Sequence, residues 1–253
     1  MKNLVSLVLV LVLIIIAGAW AAATFAFDQT KVESDTVYGT VREIVVKSDR
    51  GDVDLVPSFK LIEVRETRHW VVSQPDLEQT RSNGVLTLES TCGPERVVVK
   101  CYADLRVAVP AGIRVTVEAG SGDVDLRGTA VRSVHAESDS GDIDMDLGSR
   151  QTLVFASSDS GDVDLVARSV RAVDAQTDSG NVTVDVGGLP RRVVARSNSG
   201  DVEVAVPRGT YRIRAIADSG DARVSGLGRD NRSRQSVHAR TDDGDVVVRA
   251  RSR

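Results

Sequence analysis

One phrase recurs along this chain at almost constant spacing: a small polar residue, then Ser-Gly-Asp or a close variant, then two apolar residues one position apart. It reads Ser-Asp-Ser-Gly-Asp-Ile-Asp-Met at 138–145, Ser-Asp-Ser-Gly-Asp-Val-Asp-Leu at 158–165 and Ser-Asn-Ser-Gly-Asp-Val-Glu-Val at 197–204. The phrase glycines are Gly122, Gly141, Gly161, Gly180, Gly200, Gly220 and Gly244, giving steps of 19, 20, 19, 20, 20 and 24 residues. Steps of this size mark a stacked-repeat architecture, in which each unit buries its apolar face only against its neighbours. Upstream, Ile44, Val46 and Ser48 followed by Gly51-Asp52-Val53-Asp54-Leu55 read as a first coil of the same kind.

Within one repeat the hydrophobic period is two. Val134, Ala136, Ser138 and Ser140 share one face of a strand, and Ile143, Met145 and Leu147 share the inward face after the glycine. The parity of the inward positions shifts across Ser-Gly, as it must where a strand turns a sharp corner and keeps one face on the core. Inward residues shrink toward that corner from Val through Ala to Ser, because converging strands leave little volume between them. Glycine at the corner suits a positive φ or a crowded backbone, and the Asp or Asn that follows can satisfy turn amides.

Two architectures use this grammar. In a β-solenoid each coil hydrogen-bonds in register to the next at a spacing of about 4.8 Å. In a row of hairpins Ser-Gly is the turn, and Ala136 pairs with Met145. The narrow spread of repeat lengths favours the solenoid, since superposed coils must match in length. The expected fold is therefore all-β, a single-domain β-solenoid over 38–253. An insertion at about 57–108 interrupts it with longer strands at Lys60–Val72, Leu77–Arg81, Val85–Glu89 and Val97–Val109. Val109-Pro110-Ala111-Gly112 and Val206-Pro207-Arg208-Gly209 echo each other as alternative coil connections, and the polar stretch 226–234 is expected to bulge from the last corner.

Residues 4–27 carry no charge and are long enough to cross a bilayer as one helix. The first 28 residues thus read as a membrane anchor or an export signal, with 29–37 as a short linker. Lys2 before the segment and Asp28 after it put the amino terminus in the cytoplasm and the body outside, or release the body after signal cleavage. Cys92 and Cys101 flank the turn Gly93-Pro94 at the ends of strand-like runs, so a disulfide across a hairpin is expected, which suits an oxidising compartment.

The Ser-Gly-Asp-Val-x-Leu/Val phrases, the two Val-Pro-x-Gly elements and the leading apolar segment together resemble a bacterial family of "putative adhesin" domains of unknown function, related to the toastrack-like repeat domains. The likeness covers nearly everything after residue 38. It implies a β-solenoid-like fold outside the membrane with no established enzymatic activity, and some related domains are associated with envelope-stress systems.

Catalytic and metal chemistry finds little support in the residues. His69, His135 and His238 are isolated in strand patterns without zinc-ligand spacing. A Gly-x-Ser-x-Gly elbow and a phosphate-binding loop opening a helix are both missing from the sequence. Stacking would line up Asp123, Asp142, Asp162, Asn181, Asp201, Asp221 and Asp245, with Asp125, Asp144 and Asp164 beside them. A calcium ladder competes here with caps on turn amides, and the caps are preferred because the Gly-Gly-x-Gly-x-Asp phrase of calcium repeats is missing. Arg50-Gly51-Asp52 takes the place of Ser-Gly-Asp in the first coil. No cofactor or nucleic acid is implied, since basic residues are spread along the strands. The expected function is a non-catalytic envelope binding or scaffold module held to the membrane through 4–27. An envelope protein or glycan is its partner class, and a stress-sensor subunit or a polysaccharide-processing enzyme are the alternatives.

Overall fold

The computed structural model of the chain describes residues 28–93 and 100–252. The apolar segment 4–27 and the run 97–99 lie outside the described residues. Among the described residues all regular structure is strand. The N-terminal part contributes β1 (Gln29–Val37), β2 (Glu43–Arg50), β3 (Val53–Ser58), β4 (Ile62–Trp70), β5 (Asp76–Ser82), β6 (Val85–Thr91) and β7 (Cys101–Pro110). The repeats contribute β8 (Arg114–Ser121), β9 (Val124–Thr129), β10 (Ser133–Ser140), β11 (Ile143–Ser160), β12 (Val163–Ser179), β13 (Val182–Val186), β14 (Arg192–Ser199) and β15 (Val202–Val206). The last part holds β16 (Thr210–Ser219), β17 (Ala222–Ser225), β18 (Gly228–Arg229), β19 (Ser236–Asp243) and β20 (Val246–Ala250).

Residues one repeat apart pair in parallel: Ala136 with Ala156, Ala156 with Ala175, and Ala175 with Ala195. The solenoid is therefore correct, and the hairpin pairing of Ala136 with Met145 does not occur. One column of strands approaches the glycine corner and a second leaves it, with the core between them. Val134, Ala136, Ile143, Met145 and Leu147 are all buried to within 2% of complete. The taper has three inward steps, not four. Ser138, Ser158, Thr177 and Ser197 are buried, but Ser140, Ser160, Ser179 and Ser199 are exposed. These last serines stand on the corner itself, where the carbonyl of Ser160, for example, accepts the amide of Gly141 one coil away.

Sequence order is not stacking order. At one end β2 lies between β6 and β8, and β3 between β7 and β9. At the other end β19 lies between β14 and β16, and β20 between β15 and β17. The two Val-Pro-x-Gly elements are the β7–β8 and β15–β16 connections, each of which steps over a coil supplied from elsewhere in the chain. The 24-residue step has the same cause. After β17 the chain runs through β18, which pairs with Thr210 and Tyr211, and then returns to insert β19 and β20 one layer back.

Two expectations are corrected by the N-terminal part. Residues 29–37 are no linker but strand β1, antiparallel to β4 from the Gln29–Trp70 pair to the Val37–Ile62 pair. β4 in turn pairs antiparallel with β7, and β5 with β6 through the turn at Asn83-Gly84, both with positive φ. The insertion thus caps the stack. The Cys92–Cys101 disulfide is present, with an S–S length of 2.07 Å. It does not cross a hairpin, because β6 and β7 belong to different columns; it closes the enlarged corner of the outermost coil.

The inserted coil has neighbours on both sides, while β16 and β17 have only one full neighbour. Hydrogen exchange should therefore find the amides of β19 and β20 better protected than those of β16 and β17, although the latter precede them in sequence. Equal protection, or the reverse order, would contradict the inserted arrangement.

Candidate functional site

The repeated polar residues converge on one edge of the stack, where three ladders run through successive corners. In the first, each aspartate carboxylate accepts the backbone amide of its counterpart one coil on: Asp142 N–H to Asp123 Oδ1 at 2.9 Å, Asp162 N–H to Asp142 at 2.8 Å, Asn181 N–H to Asp162 at 2.7 Å and Asp201 N–H to Asn181 at 2.9 Å. The ladder continues from Asp201 to Asp245 and Asp221, and in the other direction through Asp52 to Asp104. In the second, a buried hydroxyl donates to a glycine carbonyl of the adjacent coil: Ser158 to Gly141 at 3.0 Å, Thr177 to Gly161 at 2.8 Å, Ser197 to Gly180 at 2.8 Å and Thr241 to Gly200 at 2.7 Å.

The third ladder is the glycines. At Gly161 φ is +153°, and a Cβ would stand 2.2 Å from the Gly141 carbonyl oxygen; at Gly200 φ is +141° and the distance to the Gly180 oxygen is 2.0 Å. Gly51, Gly122, Gly141, Gly180, Gly220 and Gly244 are equally crowded by the carbonyl of the next corner. The repeat corners read from sequence therefore all fall on one line. Ala103 takes the glycine position of the outermost coil, since its carbonyl abuts Gly51. No sequence signal marked Ala103 and Asp104 as a corner, because the Cys92–Cys101 loop displaces the phrase. Asp52 of the Arg50-Gly51-Asp52 tripeptide has its Oδ1 engaged by the Asp123 amide, which makes it one rung of the ladder.

Beside the corner runs the second acidic line, with Asp125, Asp144 and Asp164 in register. Burial pushes the Asp144 carboxyl up, and Asp125, Asp164 and Asp146 add to this against the pull of Arg127. Arg127 answers part of the repulsion, at 2.8 Å from Asp125 and 3.8 Å from Asp144. Among the described residues no group of three or more His, Cys, Asp or Glu is placed to hold a metal ion.

The other outward face changes sign toward the C-terminal end. Across β14, β19 and β16 the register sets Arg192, Ser236 and Arg212 in one row, Val194, His238 and Arg214 in the next, and Arg196 and Arg240 in a third. Burial pushes the His238 ring below the usual histidine range, and the guanidinium groups of Arg196, Arg214, Arg192 and Arg240 push it further. Sequence spacing could not find this patch, because its rows join residues 20 to 44 positions apart. The other histidines are stacked: His69 on Tyr102 at 4.6 Å and His135 on Phe155 at 4.5 Å. Sequence reasoning also missed Glu66, buried in the cap within 2.7 Å of Arg68.

Gly161→Ala should cost about 3 kcal/mol or more, since its methyl group must displace a neighbouring main chain. Thr177→Val should cost about 1–3 kcal/mol by leaving the Gly161 carbonyl without its hydroxyl. Chemical denaturation measures both, and an unchanged midpoint for Gly161→Ala would contradict the crowded corner. For His238 the folded ring binds its proton less readily than the unfolded ring, so the unfolded chain takes up more protons and stability falls as pH drops below about 6.5. The melting temperature of the native chain should therefore fall relative to His238→Gln between about pH 7 and about pH 5, whereas a constant difference would contradict the arginine environment.

No curated protein matches the chain. Solved structures similar to it include a "putative cell adhesion protein" from Clostridium sporogenes, 11% identical, covering 88% of this chain and 100% of that one with a TM-score of 0.44. A "putative adhesin" from Parabacteroides distasonis is 13% identical, with 87% and 97% covered and a TM-score of 0.48. A "putative lipid binding protein" from the same species is 11% identical, with 88% and 97% covered and a TM-score of 0.41. The family model described as Toastrack DUF4097 matches residues 17–252, almost the entire sequence, and the chain belongs to that family.

Proposed function

We propose that this protein is a non-catalytic binding or scaffold module of the cell envelope, anchored through residues 4–27 with the solenoid outside. The observation that carries the reading is the fate of the repeated polar residues. The corner carboxylates accept backbone amides from coil to coil, and the hydroxyls of Ser158, Thr177, Ser197 and Thr241 donate to glycine carbonyls of the adjacent coil, so these groups serve to hold the stack. What the molecule offers to a partner is the outward side of its strands. That surface is graded in charge: residues 1–189 hold 18 Lys and Arg against 28 Asp and Glu, and residues 190–253 hold 14 against 8. A rigid body with an acidic length and a basic end suits recognition of an envelope protein or a glycan by electrostatic complementarity.

The location is supported by two independent features. The uncharged run 4–27 ends where strand β1 begins, so an anchor there would hold the capped end of the stack next to the bilayer. The Cys92–Cys101 bond is of the kind that persists in oxidising compartments. Of the aromatic residues in the second half of the chain, Tyr211 is completely buried and donates its hydroxyl to the Pro207 carbonyl, and Phe155 is stacked on His135, so neither stands free as a sugar platform.

Protease added to intact cells, or to spheroplasts where an outer barrier exists, should digest the repeats while a cytoplasmic marker survives. Peptides from the same cells, analysed without reduction, should contain the Cys92–Cys101 link. Protected repeats together with free thiols would reject the extracytoplasmic orientation.

A further inference from the structure

The two ends of the stack are unlike. At the N-terminal end β6 is covered by β5, and β7 by β4 and then β1. At the other end β16 pairs with β19 along one side but meets only the two-residue β18 on the other, at Thr210 and Tyr211. β17 pairs with β20 alone. The inward side chains tell the same story. Ile213, Ala215, Ala217 and Val224 are only half-buried, whereas their neighbours in the coil below, Val237, Ala239, Thr241 and Val248, are at most 1% exposed. The ladders stop here as well: Asp221 donates its amide to Asp245, but among the described residues no further amide reaches the Asp221 carboxylate.

We propose that this open end docks a second copy of the chain, end to end, about a two-fold axis through the Gly220 corner. Such an axis exchanges the two columns, so β16 meets the partner's β17 in antiparallel fashion and β17 meets the partner's β16. Backbone direction permits it. Arg212 sends its amide back to Gln235 and Asp221 turns its carbonyl back to Val246, so by strand alternation Ala217 and Val224 turn their polar groups to the open side. An axis between Gly220 and Asp221 sets Ala217 opposite the partner's Val224, continuing the core. It also sets Asp218 opposite the partner's Arg223, twice by symmetry. Both residues are exposed on the outward face, with side chains 51% and 70% accessible, and each already holds an opposite charge in its own chain. The edge is thus self-complementary in hydrogen bonds, apolar side chains and charge, as an isologous interface requires. An exposed parallel edge without such a partner is an invitation to uncontrolled pairing. The inference does not depend on which side of the membrane the body occupies.

The test uses the full chain, purified in detergent under oxidising conditions, so that the native cysteines stay bonded to each other. Asp221→Cys lies beside the proposed axis and should form a disulfide-linked dimer. Asp159→Cys, an exposed corner residue in the middle of the stack, should not. Adding Arg223→Asp to the Asp221→Cys chain should lower the cross-linked fraction by about tenfold by facing the partner's Asp218 with a like charge. Its melting temperature should stay that of the Asp221→Cys chain, which separates lost docking from lost folding. Sedimentation of the chain without added cysteine should show a dimer that Arg223→Asp converts to monomer. A monomer at every concentration would overturn the proposal, as would equal cross-linking at Asp159→Cys or a dimer indifferent to Arg223→Asp.

Discussion

The close approach of one glycine backbone to the next is the constraint on which the rest of the structure depends. At the corner the Gly161 position lies so near the Gly141 carbonyl that no side chain fits between them. That approach keeps successive coils superposed, and it leaves the glycine carbonyls without amide partners in the ladder. Buried hydroxyls on the inward face supply the missing donors, as Thr177 does for Gly161. The aspartate one residue later takes up the amide that turns outward, as Asp142 does for Asp162. A buried or crowded polar group must be paired, and at the corners of Gly161, Gly180, Gly200 and Gly244 the phrase does so with the same three residue types. The recurrence of Ser-Gly-Asp is thus a packing requirement written once per coil.

A solenoid must also end, and its terminal coils have faces that nothing in the repeat can cover. The N-terminal end is closed by antiparallel strands: β4 and β1 extend one column and β5 the other. Antiparallel pairing changes the hydrogen-bond pattern and stops the parallel template, and the buried Glu66 beside Arg68 occupies the inward position where a further apolar residue would extend the core. At the other end the chain folds back so that its last coil is inserted one layer inside. The consequence is that both the first and the last coils in sequence lie inside the stack, where two neighbours hold them. The last coil in sequence, β19 and β20, is thereby held between two packed layers.

The same arrangement gives the molecule a direction. Acidic residues dominate the corner edge through the middle coils, where burial, with Asp125 and Asp164 adding to it, pushes Asp144 up. Arginines dominate the outward face of the last three layers, where they add to the effect of burial in pushing His238 down. Neither patch is a local motif. Each is assembled by register, because stacking converts a residue's place in its repeat into a row across coils.

The sequence by itself determined the unit: the corner at each glycine, the inward sets such as Val134, Ala136 and Ile143, and the use of aspartate to satisfy turn amides. These were legible because they rest on local geometry, a period of two and one sharp turn, which each segment specifies without reference to the others. Only the tertiary structure decided the order of stacking, the exposure of Ser140, the replacement of a corner glycine by Ala103 and the antiparallel cap that includes residues 29–37. Coils with the same inward pattern can stack on one another in any order, so their sequences do not encode which neighbour each will have. That choice falls to the connections, whose Val-Pro-x-Gly elements step over a layer, and to the few coils whose open faces must be covered by something other than a repeat.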